Sequence, residues 1–215
     1  MGQFNVNQIL ESGIDDWRLL AQGLHARFIT KNFANGVKFV TAVGDAAEAA
    51  NHHPDVTLKY PFVEVKLMSH DVSAITDRDI DLARTISGIA REQEIKAKPS
   101  APTELELALD TSDPAVVGPF WAALLTGRTD SQHGVDVVDR SGRVPVLWFQ
   151  HTDEHETPRQ RFHIDLWVPH DAADERIAAA VEAGGRVVDD GNAPSFTVLA
   201  DPDGNKACVC TCLDR

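Results

Sequence analysis

In the first half of the chain, Phe33, Val37, Val40, Ala47 and Ala50 recur at helical spacing, which predicts one long helix over about 33–51. Gly44 inside it costs about 1 kcal/mol relative to Ala. Pro54 disfavours helical geometry in the residue before it, so the helix ends near His53. Val63, Val65 and Leu67 alternate with Glu64, Lys66 and Met68, the period of a strand with one covered face. Thr76 and Asp79 form a capping box that opens a helix through Ile80, Ala83, Ile86 and Ala90. A first helix is expected from Trp17 to about Leu24, capped by Asp15 or Asp16. This order reads as a small α+β domain.

The pattern changes across REQEIKAKPSAPTE, residues 91–104, where Lys98-Pro99-Ser100-Ala101-Pro102 makes a stiff polar boundary. Domains are therefore expected at 1–98 and 99–215. The second contains a faint repeat of about 58 residues: ELELALDTSDP (104–114) and RFHIDLWVPHD (161–171) each read as a strand running into a helix start. Asp113 with Pro114 opens one helix, Asp171 opens the other, and Gly184-Gly185 closes the latter. Pro119 is awkward inside the first of them. Strand candidates follow each helix: HGVDVVD and VPVLWFQ around Arg140-Ser141-Gly142, then RVVD, SFTVLA and KACVCTC around the Asp201–Asn205 turn. That is a pair of strand-helix-multistrand units.

Charge narrows the function. The chain of 215 residues carries a formal net charge of −13, of which −3 falls in residues 1–96 and −10 in 97–215. Neither half offers the basic stripe that nucleic acid or anionic lipid requires. No apolar run approaches a membrane span, and MGQFNVNQIL lacks a signal-peptide core, so a cytoplasmic location is expected. Cys208, Cys210 and Cys212 alternate in CVCTC; on a strand they share one face and read as buried thiols rather than a metal or redox site.

The candidate chemistry begins at EAANHHP, Glu48 to Pro54. Glu48 and His52 are four apart and share a helical face, while His53 points about 100° away. A carboxylate on one imidazole fixes its tautomer and leaves the other ring nitrogen for proton transfer. A solvent-exposed helix end, with histidines at the negative pole of the backbone dipole, explains the same residues.

The segment Glu48 to Ala83 closely resembles the pterin-4a-carbinolamine dehydratases. Their pattern of Glu, His-His-Pro, an aromatic, a histidine and an aspartate in T-x-x-D-x-x-L-A falls here on Glu48, His52-His53-Pro54, Tyr60, His70 and Asp79. The similarity extends weakly through Trp17, Phe28 and Phe33 to cover about residues 8–95, with Ala74-Ile75 where the family commonly has Gly-Leu.

The resemblance implies an antiparallel sheet with helices on one face, association into a homodimer or homotetramer, and loss of water from a 4a-hydroxytetrahydropterin to give the quinonoid dihydropterin. The pterin is substrate, and no cofactor or metal is implied. Carried onto matching residues, His52 and His70 are the acid/base pair nearest the leaving hydroxyl, and His53 holds and polarises the pterin. Asp79 is a pterin-site residue and Glu48 orients His52. Tyr60 reads as packing. The resemblance also implies a functional link to an aromatic amino-acid hydroxylase.

Residues about 104–213 are similar to the glyoxalase/bleomycin-resistance/dioxygenase superfamily, through LALDTSDP, RFHIDLWV and VLADPDGNKACV. The expected fold is a paired βαβββ module. Metal-using relatives place ligands at positions corresponding to Glu106, Gln150, His163 and Cys208, a mixed set that argues poorly for a metal centre and is kept as a pocket. Trp148, Phe149, Phe162 and Trp167 either line a cavity or pack the sheets. Two alternatives stand beside the dehydratase: a non-catalytic dimerising or coactivator-type protein, and small-molecule binding or lyase activity centred on the glyoxalase-like module.

Overall fold

The computed structural model describes residues 2–126, 128–153, 162–182, 185–200 and 206–215. The chain divides into two compact units. The first comprises residues 1–103 with 168–172 and 211–215, and the second comprises 104–167 with 173–210.

In the first unit, α1 (Val6–Leu10) precedes a hairpin of β1 (Arg18–Leu20) and β2 (Gly23–Ile29). The expected helix at Trp17–Leu24 is thus a β-hairpin. Ala21, at φ 48°, turns the chain so that Leu19 pairs with Leu24 and Leu20 with Gly23. Burial favours this outcome, because the strand period sends Leu24, Ala26 and Phe28 into the core together. Trp17, 3% exposed, packs edge-on against Phe28 and donates its indole N–H to Ser87 Oγ at 3.1 Å.

Next come α2 (Phe33–Ala50), β3 (Asp55–Lys59), β4 (Phe62–Leu67), α3 (Asp77–Glu92) and β5 (Lys96–Ala97). The sheet is antiparallel in the order β1-β2-β4-β3, with β5 on β2. Phe39 and Val43 of α2 and Ile80, Ala83 and Ile86 of α3 meet Val63, Val65 and Leu67 of β4 in one core, joined by Cys212. Gly36 lets α2 approach β3, since a Cβ there would stand 2.4 Å from Leu58 Cδ1. On the other sheet face Arg27 pairs with Glu64 and lies over the Phe62 ring at 4.4 Å. His25 is buried on the same strand, with no partner for Nε2 among the described residues.

The second unit holds β6 (Glu104–Thr111), α4 (Pro114–Thr126), β7 (Gln132–His133), β8 (Asp136–Val137) and β9 (Val146–His151). It continues with β10 (Phe162–Trp167), α5 (Ala173–Glu182), β11 (Arg186–Asp189), β12 (Phe196–Ala200) and β13 (Lys206–Cys210). The strands make one mixed sheet in the order β11-β12-β13-β10-β6-β9-β8-β7. The repeat is plain in its pairing. The leading strands β6 and β10 run antiparallel to each other, and each runs parallel to the last strand of its own copy, β9 or β13.

Asp113 caps α4 through the Ala115 N–H at 2.9 Å, and the helix runs on through Pro119. At the second helix a 3₁₀ turn over His170–Ala172 precedes α5, and Asp171 instead meets Arg18 at 2.6 Å. Val117, Trp121, Ala122 and Leu125 of α4 cover Leu107, Leu109, Leu147 and Phe149. The alternate residues of β6 and β10 point to the opposite face: Glu106, Ala108 and Asp110 beside His163, Asp165 and Trp167. The Asp201–Asn205 turn and Gly184 of the helix closure lie outside the described residues. No helix of the described residues is long and apolar enough to cross a membrane.

Candidate active site and a second polar face

The end of α2 decides what the His-His pair does. Asn51 caps the helix in the left-handed region at φ 46°, and the His52 N–H turns back to Ala47 O at 3.1 Å. Such a cap breaks the four-residue relation between Glu48 and His52. Glu48 Oε1 therefore lies 3.2 Å from His53 Nε2, on a pair whose side chains are 81% and 57% exposed. The expected role of Glu48 as the orienting group for His52 is corrected: Glu48 meets His53.

The partner of His52 is Asp79. His52 is 7% exposed and Asp79 fully buried, with Nε2 and Oδ1 at 2.8 Å. The other oxygen, Oδ2, accepts from Ser69 Oγ at 2.7 Å and from the Thr76 N–H at 2.8 Å, with Thr76 Oγ1 3.2 Å away. Thr76 precedes α3 and Asp79 lies in its first turn, so the carboxylate that caps the helix also faces the imidazole. With donors on Asp79 Oδ2 and Oδ1 facing a ring nitrogen, a hydrogen on Nε2 satisfies that contact and leaves Nδ1 turned away from the carboxylate.

His70 is exposed in the turn that follows β4. That turn is closed by Ser69 pairing with Ala74, and Ser69 is the same residue that donates to Asp79. Asp71 accepts from Arg78 at 2.5 Å, and this bond holds its carboxyl below the ordinary carboxylate range. The His70 turn and His52 are thus linked through Ser69 and Asp79. Tyr60, read as packing, is 72% exposed.

In the second unit, Glu106 is buried and accepts the Trp167 indole N–H at 2.6 Å, while Asp165, also buried, accepts that of Trp148 at 2.9 Å. His163 stands edge-on to Trp148 at 5.7 Å, with Nε2 3.5 Å from Asp165 Oδ1 and Nδ1 3.9 Å from Asp110 Oδ1. Cys208 lies opposite Asp165 in the β10–β13 register. The donor atoms of His163, Asp165 and Cys208 all fall within 4.8 Å of one another.

Of the four expected pocket residues, then, His163 and Cys208 come together, and the third member of their group is Asp165. Glu106 is held by Trp167, and Gln150 is exposed on β9 opposite Asp110. An imidazole, a carboxylate and a thiol form a donor set that borderline cations such as zinc accept. Trp148 and Trp167 anchor the polar face, Phe149 packs under α4, and Phe162 is 42% exposed beside Trp121. Of the three cysteines expected as buried thiols on one strand face, Cys210 and Cys212 are buried and Cys208 is half-buried; Cys212 falls beyond the end of β13, in the core of the first unit.

Ser69 and Asp165 escaped the sequence reading, though each leaves a trace there. Ser69 continues the buried phase Val63, Val65, Leu67 with a hydroxyl, and Asp165 interrupts the phase of His163 and Trp167 with a carboxylate. A polar residue in a core-facing register needs a partner.

Comparison with known proteins matches two segments of the chain. Residues 3–89 match the family described as pterin 4 alpha carbinolamine dehydratase, and residues 106–210 match a glyoxalase-like domain. A relative from Thermosynechococcus vestitus that bears the pterin-4-alpha-carbinolamine dehydratase description is 39% identical over 79 residues, 37% of this chain and 83% of the relative. One from Thermomicrobium roseum is 39% identical over 77 residues, 36% of this chain and 83% of the relative, and one from Aquifex aeolicus 34% over 92 residues, 43% and 92%. The chain belongs to the pterin-4a-carbinolamine dehydratase family, with a glyoxalase-like domain following the dehydratase-like one.

Proposed function

We propose that the protein is a 4a-hydroxytetrahydropterin dehydratase that works by histidine acid/base catalysis. The hydroxyl leaves C4a as water after receiving a proton, and the ring gives up a proton to yield the quinonoid dihydropterin. His52, held by Asp79 through Nε2, offers Nδ1 as the base. His70 in the adjoining turn supplies the proton to the hydroxyl, and His53, paired with Glu48, holds the pterin. Positioned proton transfer of this kind raises rates by about 10²- to 10⁴-fold.

The observation that carries the reading is the buried Asp79 carboxylate 2.8 Å from His52 and 2.7 Å from Ser69, the neighbour of His70. Family membership adds to it. Stopped-flow turnover of freshly generated substrate by His52→Ala and His70→Ala tests it: both should lose rate far more than stability, and unchanged turnover in both rejects the roles. Association into a dimer or tetramer fits β3, which pairs with β4 alone among the described strands, as an open sheet edge. A hydroxylase that forms the carbinolamine is the fitting source of substrate.

A second reading places small-molecule binding or lyase chemistry in the glyoxalase-like domain. The group His163, Asp165 and Cys208 favours it. Dehydration by the full chain and by its His163→Ala/Cys208→Ala variant separates the two, since activity retained by the variant assigns dehydration to the first domain.

A further inference from the structure

Ser69 is 1% exposed and stands where the strand phase of β4 calls for an apolar side chain. Its hydroxyl lies 2.7 Å from Asp79 Oδ2 and 2.8 Å from Thr76 Oγ1. Its main chain closes the turn that carries His70: the N–H donates to Ala74 O at 3.1 Å and the carbonyl accepts from Val72 N–H at 3.2 Å. One buried residue is therefore bonded covalently to His70 and through hydrogen bonds to the partner of His52.

Proton accounting gives this link a direction. The Ser69 hydroxyl has one hydrogen, and with Asp79 Oδ2 as acceptor the Thr76 hydroxyl supplies the hydrogen of the Ser69–Thr76 contact. The Thr76 N–H completes the donors on Oδ2 at 2.8 Å. With Oδ2 so engaged, the carboxylate is fixed in rotation and Oδ1 is aimed at His52 Nε2. The ring is then held in one tautomer and one orientation, with Nδ1 bare.

We propose that Ser69 is a positioning residue that sets the tautomer and placement of His52 and couples them to the His70 turn; its effect on turnover rests on the dehydratase reading above. Removing the hydroxyl takes the shortest of its donors from Asp79 Oδ2 and leaves the carboxylate held there by Thr76 alone, which loosens the imidazole. A misplacement of about 1 Å costs up to about 10²-fold in rate.

The test uses the full chain with ¹⁵N-labelled histidine, comparing the native protein, Ser69→Ala and Ser69→Thr over a pH series whose alkaline limit gives the neutral ring. Nitrogen shifts and couplings read the His52 tautomer, and stopped-flow reads turnover. The native ring should carry its hydrogen on Nε2. Ser69→Ala should lose that single-tautomer signature, with kcat falling by about 10- to 10²-fold and KM little changed, while Ser69→Thr should restore both. A native His52 protonated on Nδ1 overturns the proposal, as does Ser69→Ala with native histidine signals and native kcat. Should Ser69→Ala fail to fold, the native signature and Ser69→Thr still decide: a native ring on Nε2 retained with full turnover in Ser69→Thr supports the proposal, and loss of either in that variant overturns it. Absence of turnover in the native protein removes the dehydratase reading alone, because the tautomer measurement needs no substrate.

Discussion

Glu48 reaches His53 at 3.2 Å, although it stands four residues before His52 on the same helix. The left-handed Asn51 separates the carboxylate from the ring it would meet on a continuous helix. Two acidic residues therefore attend the His-His pair in different environments, one exposed and one fully buried.

The two should differ in consequence. Asp79→Asn replaces an acceptor facing His52 with an amide that can present a hydrogen to Nε2, reversing the tautomer. We expect kcat to fall by about 10²- to 10⁴-fold. Glu48→Gln removes an exposed contact of the kind worth about 0–1 kcal/mol, so its effect should stay within about fivefold and appear in KM. Stopped-flow comparison of the two variants checks the ranking, and equal losses would count against it.

Much of this was open to reading from the amino-acid pattern. The helix at 33–51, the strand through Val63, Val65 and Leu67, and the capping box at Thr76 all follow from periodicity, because each buries one regular face. The hairpin at Arg18–Ile29 was not legible from local rules: WRLLAQGL satisfies a helical period, and only the sheet partner supplied by β4 makes extended geometry pay. Asp79 was legible as a helix-start carboxylate and site residue. Its bond to His52 was not, since 27 residues separate them and the pairing is made by packing. Ser69 and Asp165 were missed for the same reason, as their partners lie on other elements.

The close approach of α2 to β3 is a packing claim. Gly36→Ala sets a methyl group 2.4 Å from Leu58 Cδ1, so the helix or the leucine must shift. Overpacking of this sort costs about 1–3 kcal/mol. Urea unfolding should show that loss, and Gly36→Ala with Leu58→Ala should recover part of it. No loss in the single variant would contradict the contact.

His25 makes stability depend on pH. Burial, with a smaller contribution from Lys66, drives its pKa down to about 3 from an ordinary value of 6.5. The unfolded chain thus binds a proton that the folded chain refuses. Its contribution is present above about pH 6.5 and is lost progressively as pH falls toward 3. The loss should reach a few kcal/mol, on the order of 1.4 per pH unit at its steepest. His25→Phe removes the titrating group, so urea midpoints from pH 7 to pH 4 should converge on or cross those of the native protein. Parallel midpoints would show that His25 does not titrate as described.

In the second unit, Trp167→Phe removes the indole N–H that Glu106 accepts at 2.6 Å. Loss of one donor to a buried acidic acceptor costs about 1–3 kcal/mol. Denaturation should register that loss, and Glu106→Leu combined with Trp167→Phe should cost less than the two separate losses added. Strict additivity would argue that the two side chains do not interact.

The most direct measurement of the central claim is the decay of freshly made 4a-hydroxytetrahydropterin with and without the full chain, followed optically in a stopped-flow instrument. The proposed histidine chemistry predicts decay that accelerates in proportion to protein concentration, with quinonoid dihydropterin as the product. Decay that keeps its uncatalysed rate at every protein concentration would contradict it.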